Sequence, residues 1–222
     1  MLNHKQLRHV VTERIRQAIL DGAIKPGEWL RQERLAQELG VSQMPIREAL
    51  KELAAEGLVE HVPYRGVRVV EFSLEDVEDL YALRCFLEAR TARAAAERIS
   101  ADELQALRSL LEQMQQHLAD EELPVYRELN RQFHQIIAQA SRRRYLIRTL
   151  YQLWENFPNM LWGNFPQTAR TSSPERTPQD VAQHQAVLEA LERHDPDAAE
   201  RLMREHIESA GQDLAMRVRY GA

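Results

Sequence analysis

The fold of the N-terminal third of the chain is decided by residues 30–70, which read LRQERLAQELGVSQMPIREALKELAAEGLVEHVPYRGVRVV. Leucine and alanine recur at helical spacing before Gly40, a residue that can reverse the chain between two helices. Ser42 can cap the second helix, and Pro45 falls in its first turn, where the missing N–H costs little. Gly57 ends that helix, and two short β-branched runs follow. The stretch therefore predicts a winged helix-turn-helix: three helices, counting one before residue 30, and a two-stranded β wing.

This motif predicts binding to double-stranded DNA. In such proteins the first residues of the second helix meet base edges, and Arg47 can donate two hydrogen bonds to guanine. Arg65 and Arg68 lie where the wing would touch phosphate. The alternative is a helix pair and ribbon used only for packing or protein contact. The predicted DNA contacts are Arg34, Ser42, Gln43, Met44, Arg47, Lys51, Arg65, Gly66 and Arg68.

The same stretch resembles a known family. Residues 35–58, LAQELGVSQMPIREALKELAAEGL, and residues 64–70, YRGVRVV, resemble the DNA-binding domain of GntR-type bacterial transcription regulators. That family usually has Arg and Thr at the positions of Gln43 and Met44. Glutamine can pair with adenine and methionine can touch a thymine methyl, so the resemblance implies DNA binding with a different preferred operator.

Length and charge indicate two domains. The 222 residues and a hydrophobic share of 44% are enough for two buried cores. Residues 1–72 carry a net charge of +1 and residues 73–222 a net charge of −6. The sequence therefore predicts a DNA-binding domain over residues 1–72 and a second domain over residues 73–222. Because the first domain is not strongly basic, DNA affinity must depend on placed arginines and on two copies acting together as a homodimer.

The sequence predicts a cytoplasmic protein that does not enter the membrane. Its single cysteine, Cys85, excludes an internal disulfide. The first residues, MLNHKQLRHV, lack the apolar core of a signal peptide. No apolar run approaches the ~20 residues of a membrane span.

From Ser73 onward the pattern is helical and predicts an all-α bundle, so the fold class is mainly α. The first helix of this bundle should run to about Arg98, and residues 100–103 form a capping box for the next. Five proline or glycine residues between Phe157 and Pro178 predict a loop or a broken helix there. The further predicted helices are 102–119, 123–140, 142–156, 178–193 and 197–218.

Histidine spacing within the bundle suggests a metal site. Asn130 and His134 are four residues apart and share a helix face. His184 and His206 flank a turn near residue 195 by roughly ten residues each, so both imidazoles would lie ~15 Å from that turn on adjacent helices. Three imidazoles and an amide oxygen suit zinc, with nickel or manganese as alternatives. The alternative interpretation is that these are ordinary core or surface histidines.

A second resemblance supports the metal. Residues 81–96, 129–141 and 183–207 resemble the FCD ligand-binding domain, which follows this DNA-binding domain in the FadR branch of the GntR family. The resemblance implies that the metal ligands are Asn130, His134, His184 and His206. The commoner residue at the position of Asn130 is aspartate, so one negative charge is absent from the ligand set.

Arg84 matches an arginine that recurs in this branch, and the resemblance implies that it binds the effector. A guanidinium offers paired donors to the carboxylate of a small organic acid. The alternative is a surface pair with Glu88, one helical turn away, worth only ~0.3–0.5 kcal/mol.

Three functions compete. The first is a homodimeric regulator, a repressor, that binds a near-palindromic operator and responds to a carboxylate effector. The second is an enzyme with a catalytic zinc held by three histidines. The sequence lacks HExxH, GxSxG, P-loop and GxGxxG motifs, which argues against the enzyme. The third treats the metal as a structural staple only.

Overall fold

The computed structural model describes the backbone of residues 4–71, 73–119, 122–164 and 176–220. Side chains are described within these ranges except at residues 4, 5, 155–164, 176, 177 and 220. Contacts divide the chain into two compact units, with a boundary between Ser73 and Leu74. The stretch from Trp154 to residue 164 belongs by its contacts to the first unit.

The first unit contains three helices and a small sheet. Its helices are α1 His4–Leu20, α2 Gln32–Leu39 and α3 Gln43–Ala55, and its strands are β1 Trp29–Leu30, β2 Val59–Val62 and β3 Gly66–Val69. Side chains from all three helices and all three strands form one buried apolar cluster, in which Ile19, Ile46 and Leu53 are fully enclosed.

The turn between α2 and α3 follows from two local features. Gly40 takes the left-handed conformation, with φ 66°, and the N–H of Val41 donates to the carbonyl oxygen of Ala36. Ser42 occupies the N-cap position of α3, but its side chain makes no capping hydrogen bond, so this detail of the prediction is wrong. The residue three positions later is Pro45, which has no N–H for the hydroxyl to accept.

The wing includes a strand that the sequence did not predict. Strands β2 and β3 form the expected antiparallel ribbon, and β1 adds a third strand, in the order β1-β3-β2. Trp29 pairs with Arg68, and Leu30 pairs with Val67. A strand of two residues is too short to leave a periodic pattern in the sequence.

Within the described residues, six helices follow Ser73, as predicted. They are α4 Leu74–Ala96, α5 Ala101–Gln116, α6 Leu123–Ala140, α7 Arg144–Asn164, α8 Arg176–Glu192 and α9 Pro196–Tyr220. The predicted capping box is confirmed at the start of α5, where Ser100 and Glu103 cap each other. Among the described helices, none is long and apolar enough to cross a membrane.

The expected loop between Phe157 and Pro178 is partly wrong. Helix α7 continues to Asn164, and α8 already begins at Arg176, so both ends of that interval are helical. Pro158 removes one backbone donor but does not end α7. The rest of the interval lies outside the described residues, and the side chains of residues 155–164 are not described either.

Helices α4 and α9 approach each other closely at Gly211. A methyl group added there would lie 2.9 Å from Cδ1 and Cγ of Tyr81 and 3.0 Å from its Cβ. These atoms form the root of the tyrosine side chain, so they cannot move away without a shift of α4. The glycine therefore permits a helix contact that any larger residue would strain.

We predict that Gly211→Ala destabilises the protein by about 1–3 kcal/mol, because overpacking outweighs the better helix propensity of alanine. In a Tyr81→Ala background the same change should stabilise by up to ~1 kcal/mol, since the obstacle is gone. Urea denaturation of the four proteins measures both effects. An equal effect of the glycine substitution in the two backgrounds would contradict the proposed clash.

Candidate metal centre and nucleic-acid interface

Three imidazoles meet inside the second unit. His134 comes from α6, His184 from α8 and His206 from α9, and their exposed fractions are 4%, 1% and 3%. Potential ligand atoms of the three side chains all lie within 4.8 Å of one another. The Nε2 atoms of His134 and His206 are 3.3 Å apart. The predicted juxtaposition of histidines from three helices is therefore present.

The surroundings of the cluster determine which nitrogen of each ring carries a proton. The Nδ1 atom of His184 lies 2.6 Å from the backbone oxygen of Asp180, and Nδ1 of His206 lies 3.2 Å from Oε1 of Gln183. The Nδ1 atom of His134 lies 2.7 Å from Oε2 of Glu88. Each neighbouring oxygen can only accept a hydrogen bond, so in the neutral rings the proton belongs on Nδ1. Each Nε2 lone pair is then available to a cation.

Asn130 lies one helical turn before His134 on α6. Its Oδ1 is buried and has no hydrogen-bond partner among the described residues. A buried amide oxygen without a partner is unfavourable unless it meets a donor or a cation.

This donor set fits a first-row divalent metal. Two nitrogens held by one tetrahedral zinc at ~2.0–2.1 Å would be ~3.3 Å apart, which matches the spacing of His134 and His206. His184 offers a third nitrogen within the same 4.8 Å limit. Three nitrogens and one oxygen complete a tetrahedral site, so a further ligand would raise the coordination number of the metal to five or six.

A buried ion pair supports the cluster from α4. Nε of Arg84 lies 2.8 Å from Oε1 of Glu88, and the two side chains are 13% and 2% exposed. Burial alone would raise the pKa of Glu88, but Arg84 and His134, which both lie beside its carboxylate, lower it to about 2. The alternative predicted for Arg84, a pair with Glu88, is therefore formed. It lies inside the bundle and not on the surface, so the small energy of an exposed pair does not apply.

Sequence analysis missed the outer partners of the histidines. The hydroxyl of Tyr126 donates to Oδ2 of Asp180 over 2.7 Å, and Oδ1 of Asp180 lies 3.6 Å from Nδ1 of His206. The signal was available as helical spacing, since Tyr126 precedes Asn130 by four residues and Asp180 precedes His184 by four.

In the first unit, α3 presents the predicted contact residues to solvent. Ile46, Ala49 and Leu53 face the core, whereas Arg47 and Met44 are exposed on the opposite side. The other predicted contacts of this region that are exposed are Arg34, Ser42, Gln43 and Lys51. Arg34 forms an ion pair with Glu38, over 2.7 Å.

The wing arginines rest on an aromatic side chain that sequence analysis did not select. The Cζ atoms of Arg65 and Arg68 lie 5.5 Å and 6.0 Å from the ring centre of Trp29 on β1. Arg68 also pairs with Glu60 across the ribbon, over 2.5 Å. Arg65 and Gly66 are exposed at the end of the wing. Because Arg68 is matched by a carboxylate, Arg65 is the stronger candidate for a phosphate contact.

Comparison with known proteins connects both sites to one family. Residues 7–69 match the profile of "Bacterial regulatory proteins, gntR family", and residues 79–209 match that of the FCD domain. The chain belongs to the GntR family and carries a C-terminal FCD domain. This GntR regulator is therefore a DNA-binding transcription regulator, as its sequence predicted, and the relatives it matches are regulators and not enzymes.

The chain matches known transcription regulators over most of their length. The HTH-type transcriptional repressor RspR of Escherichia coli is 28% identical over 200 residues, covering 90% of this chain and 85% of that protein. The Glc operon transcriptional activator of E. coli is 27% identical over 224 residues, covering 92% and 87%. The solved structure of E. coli McbR/YncC has a TM-score of 0.66 and 24% identity over 98% of this chain and 100% of that one, which supports the fold.

Proposed function

We propose that this GntR regulator is a homodimeric repressor whose operator affinity changes when an organic acid binds at a metal in its C-terminal domain. The observation that carries the metal-dependent part is the set of three buried imidazoles whose Nδ1 atoms all face oxygen acceptors. Residues 1–72 bind DNA, and residues 73–222 bind the effector and form the dimer. Repression is proposed because RspR is named a repressor, although the Glc operon relative is named an activator.

The proposed ligands are Asn130, His134, His184 and His206, and zinc fits this set best, with nickel or manganese as alternatives. A metal bound there would take the effector carboxylate as a fifth or sixth ligand. The backbone oxygen of Asp180 fixes the ring of His184, and the carboxylate of Glu88 lies against the ring of His134.

Arg84 is proposed to bind the same effector. It lies one helical turn from Glu88, which contacts the ring of His134. A carboxylate held by the Arg84 guanidinium would therefore lie beside the metal. Its arrival would compete with Glu88 for Arg84, which ties effector binding to the orientation of His134.

On the DNA side, each subunit is proposed to place α3 in the major groove of one half-site of a near-palindrome. Ser42, Gln43, Met44, Arg47 and Lys51 then face the bases, while Arg34, Arg65, Gly66 and Arg68 contact the backbone. Effector binding changes the spacing or freedom of the two DNA-binding domains, and a coupling of ~1–3 kcal/mol suffices. DNA as the partner implies that the protein acts in the cytoplasm.

We predict that Arg47→Ala weakens specific binding by ~1–3 kcal/mol and relaxes base preference, because alanine cannot donate the two hydrogen bonds that the guanidinium gives to a base edge. The test uses the duplex that the wild-type protein selects from a randomised library, with gel-shift titrations on single-base variants. Arg14→Ala, which removes an exposed positive charge from α1, is the matched control. Unchanged affinity and preference after Arg47→Ala would remove this residue from the base-reading set.

Arg65→Ala should weaken binding to the selected duplex and to an unrelated duplex alike. A phosphate contact carries no sequence information, so the slope of log affinity against log salt concentration should become shallower by about one for each phosphate that is no longer neutralised. Titrations at four salt concentrations measure this slope. A change in the preferred base at one position would instead show that Arg65 contacts a base.

The third prediction concerns the metal. Full-length protein purified without a histidine tag should hold about one divalent metal per subunit, measured by elemental analysis. The double variant His134→Ala/His206→Ala should lose it, because two of three nitrogen ligands are gone. His117→Ala, which changes a histidine outside the cluster, should keep it. Equal, negligible metal in all three proteins would mean that the cluster is an ordinary part of the core.

A further inference from the structure

Two arginines lie close together at the end of the second unit where α4 and α6 begin and α9 ends. They are Arg127 of α6 and Arg217 of α9, and both are half-buried. Burial and the neighbouring charge of Arg217 lower the pKa of Arg127, and Tyr81 of α4 is close enough to raise it in part. Three helices therefore bring these side chains to one place.

Contacts along α4 relate this place to the imidazole cluster. Glu88 contacts the ring of His134, and Arg84 precedes Glu88 by one helical turn. The Cζ atom of Arg84 lies 4.9 Å from the ring centre of Tyr81, and Gly211 of α9 packs against the root of the same ring. A path back along α4 thus leads from the imidazoles to Arg84 and then to Tyr81.

The same order is found on α6 and α9. Arg127 precedes His134 by seven residues, two helical turns, so the two share a face of α6. At a rise of ~1.5 Å per residue, Arg127 lies ~10 Å along the helix from His134. Arg217 lies on α9 in the same direction, eleven residues beyond His206. A track of guanidinium groups therefore leads from the imidazole cluster past Arg84 to the pair formed by Arg127 and Arg217.

This pair is unfavourable in the folded protein by itself. Two positive charges that are partly removed from water repel each other more strongly than in solvent. Because the fold lowers the pKa of Arg127, its positive form is less favourable in the folded than in the unfolded protein. Charged groups in such surroundings are concentrated at functional sites. An anion between the two guanidinium groups would remove the repulsion, and a carboxylate matches their paired donors.

We propose that the effector is an extended dicarboxylic acid, with one carboxylate at the metal beside Arg84 and the other between Arg127 and Arg217. This inference rests on the proposed function and names the class of effector. An acid with a single carboxylate would leave the distal arginines without their anion. The second carboxylate also joins α6 to α9, the helices that carry His134 and His206.

The test titrates full-length, zinc-loaded protein with adipate, with suberate and with the monomethyl ester of each, in a calorimeter. An ester keeps the chain length but has one charge, so wild type should bind the better of the two diacids about 10–100-fold more tightly than its ester. Arg127→Gln and Arg217→Gln should each remove most of this difference and leave the affinity for the ester within about twofold. The controls are Arg131→Gln and Arg219→Gln, which change exposed arginines on the same two helices and should keep the preference.

A second measurement needs no ligand. Arg127→Gln removes one of two repelling charges, so the ligand-free variant should melt about 2–4 °C higher than wild type. Arg131 forms an exposed pair with Glu128, and its replacement by glutamine should change the melting temperature by less than about 1 °C. Higher stability combined with loss of diacid preference is the result expected of a binding site and not of a structural arginine.

Three outcomes would overturn the inference while the metal site stands. Zinc-loaded wild type could bind none of these acids or bind diacid and ester equally, the preference for the diacid could survive both substitutions, or Arg127→Gln could melt at a lower temperature than wild type. If wild type holds no zinc, the proposed function fails and the inference fails with it.

Discussion

The architecture of the second unit centres on three imidazole rings, each with its Nδ1 atom beside an oxygen atom. Nε2 of His134 and Nε2 of His206 are 3.3 Å apart in a buried space, and two lone pairs at that distance repel unless a proton or a cation lies between them. Three helices must keep their positions to maintain this arrangement. The requirement explains why polar groups lie at the middle of an otherwise apolar core.

The oxygen partners come from different parts of the chain. Glu88 belongs to α4, whereas Asp180 and Gln183 belong to α8, so the imidazoles join helices distant in sequence. None of the proposed ligands is a carboxylate, so the ligands bring no negative charge to the metal. The buried carboxylates of Glu88 and Asp180, which lie behind the imidazoles, supply part of that charge. Glu88 also neutralises Arg84, which leaves Asp180 as the more available negative charge.

Sequence patterns predicted the helices and their ends, because these depend on interactions between residues close together in the chain. Gly40 and Gly57 both have positive φ and end their helices, and the six helices of the second unit follow the apolar periodicity. Counting residues from the turn near residue 195 also predicted that His184 and His206 lie side by side, and their ring centres are 4.3 Å apart. The sequence could not predict which residues contact each other when they are distant along the chain. The pairing of the strand at Trp29 with β3 and the burial of the ion pair between Arg84 and Glu88 both depend on such tertiary contacts.

A row of alanines on α4 sets how near α9 can lie. Ala92 and Ala95 are fully buried in the same cluster as Ala199 and Ile207 of α9, the helix that carries His206. Side chains this small allow two helix axes to approach closely. The spacing of the three imidazoles therefore depends in part on residues that lie outside the imidazole cluster. Over evolutionary time, substitutions in this row of alanines would change the spacing of the three imidazoles while every histidine stayed the same.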